Sequence, residues 1–141
     1  MKQYVLDASV GVKWFFAETN SQKAFILFER FEQKAVKLIV PELFFVEFAS
    51  AACSKVKAKE ASFDQAVKAL DDLLESDLTR YPDEELTDVA LENAFRFNIS
   101  VYDGLYLALA EIYCASLVTA DKTLLKACKR FDFLLPLEEI S

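Results

Sequence analysis

Four acids stand out from the 141-residue sequence by where they fall: Asp7, Glu47, Asp103 and Asp121. Glu47 lies in "FFVEFASAAC", among Phe44, Phe45, Val46, Phe48, Ala49 and Ala51. An ionised carboxylate that loses its water without a partner is costly, so Glu47 calls for a cation, a proton or a metal. Asp7 and Asp121 directly follow the apolar runs "YVL" and "SLVTA", and Asp103 opens "YDGLYLALAE". The chain has no histidine. It therefore lacks the commonest acid-base group near neutral pH and the common nitrogen ligand for zinc and copper. What remains is carboxylate chemistry. Oxygen-only ligation suits a hard ion, Mg²⁺ or Mn²⁺, and Mg²⁺ tends to share its sphere with water and substrate phosphate. An empty cluster of carboxylates raises the pKa of at least one of them.

These acids need elements to hold them. Short apolar runs at 3–7, 37–40, 78–81, 116–120 and 131–135 read as strands. Between them, helical patterns fall at 9–17, 21–33, 42–59, 62–75, 83–97, 102–114 and 122–129. The clearest is 62–75, where Phe63, Ala66, Val67, Leu70, Leu73 and Leu74 share one face. Strand-helix alternation implies right-handed crossovers and a central, mainly parallel sheet between helices: a three-layer α/β/α single domain over 1–141. In such sheets ligands collect beyond the carboxyl ends of the strands. Asp7 and Asp121 belong to that edge. Side chains tilt toward a helix's N-terminus, so Glu47 and Asp103 are aimed back at the same edge. All four acids are expected to converge there.

Each acid also has a local reading. Asp103 and Asp121 are of the type that caps helices, Asp7 suits a strand-to-helix turn, and Lys13 is a candidate ion-pair partner for Glu47.

Composition sets the bounds. Hydrophobic residues make up 54% of the chain, with 13 Phe and only 2 Gly and 3 Pro, which describes one densely cored domain. No secretion signal or membrane span is read. Cys53, Cys114 and Cys128 are odd in number and widely spaced, and are expected as buried free thiols in a reducing, cytoplasmic setting. A net charge of −7 gives no overall attraction to nucleic acid and argues against a protein that simply coats it. Contacts with a phosphate backbone would have to be local. Two basic strips could serve, Lys122, Lys126, Lys129 and Arg130 or Lys55, Lys57 and Lys59, although lysines also suit helix C-termini without any ligand.

"VLDASVGVKWF", "VPELFFVEFASAA", "YDGLYLALAE" and "LVTADKTLL" resemble, in order and across nearly the whole chain, the four signature segments of the PIN-domain family. The likeness is to its small VapC-type toxins. That resemblance implies an α/β/α PIN-like fold and a ribonuclease, in first place an endonuclease, dependent on Mg²⁺ or Mn²⁺. It places the catalytic, metal-holding acids on Asp7, Glu47, Asp103 and Asp121, with the hydroxyls of Ser9 and Thr119 supporting the metal site. It further implies an RNA substrate, a homodimer and an antitoxin protein partner that inserts a segment into the acidic groove. Aromatics such as Phe15, Phe16, Phe25, Phe28 and Phe31 could serve those interfaces, with core packing the commoner use. Two positions depart from the family pattern: Ser50 stands where Asn is frequent, and Gly104 where Ala is common. The alternatives are a non-catalytic PIN-like module that binds RNA or protein, and a receiver-like protein phosphorylated on Asp7. The latter lacks the second nearby acid such proteins use.

Overall fold

The computed structural model describes all 141 residues. Five strands run β1 Lys2–Leu6, β2 Val36–Pro41, β3 Thr79–Tyr81, β4 Ser116–Thr119 and β5 Leu134–Pro136. They form one sheet in the order β3-β2-β1-β4-β5, and every neighbouring pair is parallel. A fully parallel sheet requires both faces covered, which accounts for the near-continuous apolar character of its strands. Val5, Leu6, Leu38, Ile39, Val40, Leu117 and Val118 are completely buried. The order reverses between β1 and β4. The first half of the chain builds outward on one side of β1 and the second half on the other, so a crevice opens at the carboxyl ends of these two strands.

Seven helices cover the sheet: α1 Ala8–Gly11, α2 Ser21–Glu32, α3 Leu43–Lys57, α4 Phe63–Leu74, α5 Thr87–Phe97, α6 Val101–Tyr113 and α7 Lys122–Ala127. The α4 start is a full capping box, in which Ser62 and Gln65 each accept from the other's backbone N–H. Two expected helices break into pieces. The first helical pattern ends as α1 at Gly11 and continues as a 3₁₀ turn over Val12–Trp14. Tertiary bonds explain the tightening: the Trp14 indole donates to the Ala24 carbonyl at 2.9 Å, and Lys13 Nζ donates to the Thr19 carbonyl at 2.6 Å. Likewise Asp83–Leu86 is 3₁₀, ahead of α5.

Helices α5 and α6 pack with unusual closeness. A Cβ added to Gly104 would lie 2.5 Å from the Ala90 carbonyl oxygen, so only glycine admits this approach. The aromatics near the N-terminus serve the core rather than a surface. Trp14 packs against Phe28 and Phe31, Phe16 is buried, and only Phe25 of that group is substantially exposed. The thiols correct one expectation. Cys128 is buried, but Cys53 and Cys114 lie on the surface, and all three are free. Their helical segments turn those positions outward. No helix is long and apolar enough to cross a membrane.

Candidate functional site

Asp7 is the first residue beyond β1, and its backbone N–H donates to the Val118 carbonyl of β4 at 3.1 Å. That bond carries the β1–β4 pairing one step further and seats the side chain in the switch-point crevice. There the carboxylate is buried and takes both available hydroxyls on one oxygen. Ser9 Oγ donates to Oδ2 at 2.6 Å and Thr119 Oγ1 at 2.7 Å. These hydroxyls are themselves fixed. Ser9 Oγ accepts from the Ala120 N–H at 3.1 Å, and Thr119 Oγ1 accepts from the Asp121 N–H at 3.0 Å. Thr119 is fully buried, so its rotamer is set by packing as well. The two hydroxyls thus orient Asp7.

Asp121 follows β4 and caps α7, its Oδ1 accepting from Thr123 and Leu124 N–H at 2.9 and 3.1 Å. The cap reading and a site reading are compatible, because the cap engages one oxygen only. Asp103 is not a cap. Ser100 caps α6, accepting from the Asp103 N–H at 3.0 Å, and Asp103 sits in the first turn, where acids suit the helix dipole. Glu47 lies one turn into α3, half-buried, and accepts a 2.6 Å bond on Oε1 from the hydroxyl of Tyr106. Lys13 does not reach Glu47; it is committed to Glu18 at 3.3 Å and to Thr19.

The electrostatics tie the four acids together. Burial raises the Asp7 pKa, its two hydroxyl bonds counter part of that, and the charge of Asp121 raises it again. Burial likewise raises Glu47; Tyr106 opposes the rise, while Asp7, Asp103 and Asp83 add to it. Asp103 is raised first by burial and then by Asp7 and Asp121. Asp7, Glu47 and Asp103 each feel at least one other acid of the set, and Asp7 feels or is felt by all three. None has a basic partner: the ion pairs of the chain are Lys13–Glu18, Lys55–Glu18, Lys55–Glu60 and Lys68–Asp72. The acids share a field without sharing a point, since no three of them form a ready chelating group as their side chains stand. Repulsion and local bonds account for the spread, with one oxygen each of Asp7, Glu47 and Asp121 turned toward its own donor.

Two residues of the site were not read from the sequence. Tyr106 lies three residues after Asp103 on α6, the spacing that puts both on one helix face, and that spacing was the available signal. Asp83 accepts from the Leu43 N–H at 3.1 Å while Glu42 accepts from the Asp83 N–H at 3.2 Å, a reciprocal clasp that fixes the start of α3 and the aim of Glu47. Ser50 is exposed, and its carbonyl accepts from Ser54 Oγ, so it plays no part in holding Glu47. A cavity of about 280 Å³ is lined in part by Lys13, Asn20, Thr119, Ala120 and Lys122; none of the four acids lines it, although Ala120 and Lys122 flank Asp121 in the chain.

No curated protein matches the chain. Solved structures do. Over 97% of this chain and 85% of its own, PAE2754 from Pyrobaculum aerophilum superposes with a TM-score of 0.73 at 22% identity. VapBC2 from Rickettsia felis, solved bound to a DNA fragment from its promoter, gives 0.63 at 17% identity over 95% and 96% of the two chains. A toxin-antitoxin complex from Klebsiella pneumoniae gives 0.67 at 11% identity over 95% and 97%. At these identities the likeness speaks for the fold. A family model described as PIN domain matches residues 4–130, a span that holds all four acids and both hydroxyls, and the chain belongs to the PIN-domain family.

Proposed function

We propose that this protein is a metal-dependent ribonuclease, cutting RNA internally by hydrolysis, and the toxin of a toxin-antitoxin pair. The observation that carries the reading is the set of four carboxylates from four separate elements, electrostatically coupled at the sheet's switch point with no lysine or arginine to neutralise them. The residues fit a divalent ion. The donors are all oxygen, the most buried of them has a raised pKa, and the oxygens of Asp7, Glu47 and Asp121 not engaged by local donors remain for ligation. Asp7, Glu47, Asp103 and Asp121 would hold Mg²⁺ or Mn²⁺, which when bound supplies neutralisation of phosphate charge and a lowered pKa for water.

The chain's own contribution is position. Ser9 and Thr119 hold Asp7 by Oδ2 and leave Oδ1 without a side-chain donor. Tyr106 does the same for Glu47. With no histidine, and with the hydroxyls of Ser9, Thr119 and Tyr106 committed as donors to the acids, the scissile phosphate is attacked by water, leaving a 5′-phosphate and a 3′-hydroxyl. The test is cleavage of single-stranded RNA with Mn²⁺ or Mg²⁺, abolished by chelator and lost in Asp7→Asn and Asp103→Asn. Products ending in 2′,3′-cyclic phosphate would refute the mechanism. RNA binding without cleavage would instead favour the non-catalytic module.

The toxin assignment rests on likeness to structures that are toxin-antitoxin complexes. Two surfaces suit protein partners. On α5, Leu91 and Phe95 stand one turn apart and exposed, Phe95 to 91%. Between α3 and α4 an apolar groove is lined by Ala52, Val56, Phe63 and Val67. A homodimer and an antitoxin segment are the occupants this reading assigns. Co-expression with a genetically adjacent small protein should relieve toxicity, and light scattering should give twice the 16.0 kDa chain mass. Free thiols are compatible with a reducing cytoplasm.

A further inference from the structure

In a chain of net charge −7, one surface depression is lined by four cations and no acid. Arg96 comes from the last turn of α5, and Lys126, Lys129 and Arg130 come from the end of α7 and the turn beyond it. Together with Asn98 they surround a cavity of about 440 Å³. Helix dipoles explain one or two basic residues at a helix end. They do not explain why two helix ends from different parts of the sequence bring four like charges to one hollow. Nor are the charges spent internally. Glu92, one turn before Arg96, and Asp132, two residues past Arg130, form no ion pair with them. Arg96 rests only over the ring of Phe97, 5.0 Å from its centre. The second basic strip contrasts with this. Lys55 is already bound by Glu18 at 2.5 Å and Glu60 at 3.4 Å.

We propose that this hollow binds the phosphate backbone of single-stranded RNA beside the scissile bond, and so guides the strand across the acids. The inference rests on the ribonuclease reading and adds a substrate track to it. Position supports the assignment. Asp121 caps α7 at its start, and about 8 Å of helix rise separates it from Lys126, so the cations continue directly from the acidic crevice. Asn98 in the lining is followed two residues later by Ser100, which accepts from the Asp103 N–H, so the α5 side of the hollow leads to the start of α6 that carries Asp103. The track reconciles the chain's overall negative charge with an anionic substrate. Repulsion elsewhere on the surface restricts binding to the one path that ends at the carboxylates. The contacts are to phosphates, so the track carries no sequence preference of its own.

The experiment compares two variants, each removing three positive charges. One is Arg96→Gln/Lys129→Gln/Arg130→Gln. The other, Lys57→Gln/Lys59→Gln/Lys68→Gln, lies on α3, α4 and their connection. Binding of a fluorescent single-stranded RNA is measured in EDTA across a salt series, where no cleavage occurs, and cleavage of the same RNA is measured with Mn²⁺. In the first variant the slope of log affinity against log salt falls by about 2, at roughly 0.7 per phosphate contact on a single strand. KM for RNA rises about tenfold with kcat unchanged, and the second variant behaves as wild type. Equal losses in both variants, or an unchanged slope in the first, overturn the proposal. Wild type that binds with the expected slope but never cleaves leaves the track standing and removes the nuclease reading. Cleavage that survives the first variant at unchanged KM does the reverse. Thermal unfolding confirms that both variants fold.

Discussion

Tyr106 donates its phenolic proton to Glu47 Oε1 over 2.6 Å, joining helices that are 59 residues apart in the chain. The tyrosine is fully buried, and its own pKa is pushed well up by burial and by the charges of Asp7 and Glu47, so it stays a donor at every working pH. It fixes the orientation of the Glu47 carboxylate by holding Oε1. Tyr106→Phe keeps the ring and loses the bond. The expected result is a 10- to 100-fold drop in Mn²⁺ affinity or cleavage rate, the usual range for a residue that orients a metal ligand. Isothermal titration with Mn²⁺ reads it directly. A variant with wild-type affinity would mean Glu47 is not a ligand.

The pair of hydroxyls on Asp7 offers a second test. Thr119→Val leaves a buried carboxylate oxygen with one donor instead of two, and also strips the Asp121 N–H of its acceptor. Losing such bonds costs about 1–3 kcal/mol. Ser9→Ala removes the other donor and the acceptor of the Ala120 N–H. Because both act on one oxygen, the double variant should depart from additivity, which urea unfolding of the four proteins in a double-mutant cycle would measure.

Gly104→Ala should destabilise the fold although alanine is the better helix former. The propensity gain is about 1 kcal/mol. Against it stands a Cβ placed 2.5 Å from the Ala90 carbonyl oxygen, a backbone atom that moves only with its helix. Overpacking of that kind costs about 1–3 kcal/mol, so a modest net loss is expected. The neighbouring residue is Asp103, so activity should fall more than stability. A higher melting temperature with full activity would show that α5 and α6 part freely.

Proton linkage gives a prediction with a definite sign. Asp7, Glu47 and Asp103 have folded pKa values above their ordinary ones, so the folded, metal-free chain binds protons more tightly than the unfolded chain. Their contribution is greatest at low pH and is lost as pH rises from the ordinary carboxylate range through the raised values. Glu18 runs oppositely. Burial pushes it up, but Lys55 and Lys13 outweigh burial and hold it low, so its contribution is lost as pH falls. Comparing variants at each pH isolates the site. Asp7→Asn should raise the metal-free melting temperature at pH 7 and flatten its decline with pH. Mn²⁺ at about 100 times Kd should stabilise wild type by about 2.7 kcal/mol and the variant by less. A less stable variant with an unchanged pH slope would contradict this account.

The sheet and all seven helices were legible because alternation and 3.6-residue periodicity survive in this sequence almost undisturbed. The exceptions are places where tertiary bonds override local pattern. Residues 131–135 read as a strand, yet β5 covers only Leu134–Pro136, because Phe131 and Phe133 are used edge-on against each other and Phe97. The helix after Asp7 shortens to one turn because Trp14 and Lys13 bond across to the next segment. At the site, the acids could be located from their places after strands and within apolar helices. Tyr106 could not be singled out so readily. A tyrosine in an apolar helix looks like core until its hydroxyl is seen to meet a carboxylate, and that meeting depends on how α3 and α6 are arranged around the sheet.

The bond between Thr119 and Asp7 spans 112 residues, and β4 lies directly against β1. During translation β1 therefore waits for its neighbour until a further 112 residues have been made. At about 5–20 residues per second that delay lasts several seconds or more. Until then Asp7 lacks the hydroxyl from β4 and has no Asp121 beside it. The crevice is thus completed late in folding, when β4 docks beside β1 and brings Asp7 both its second hydroxyl and its acidic neighbour.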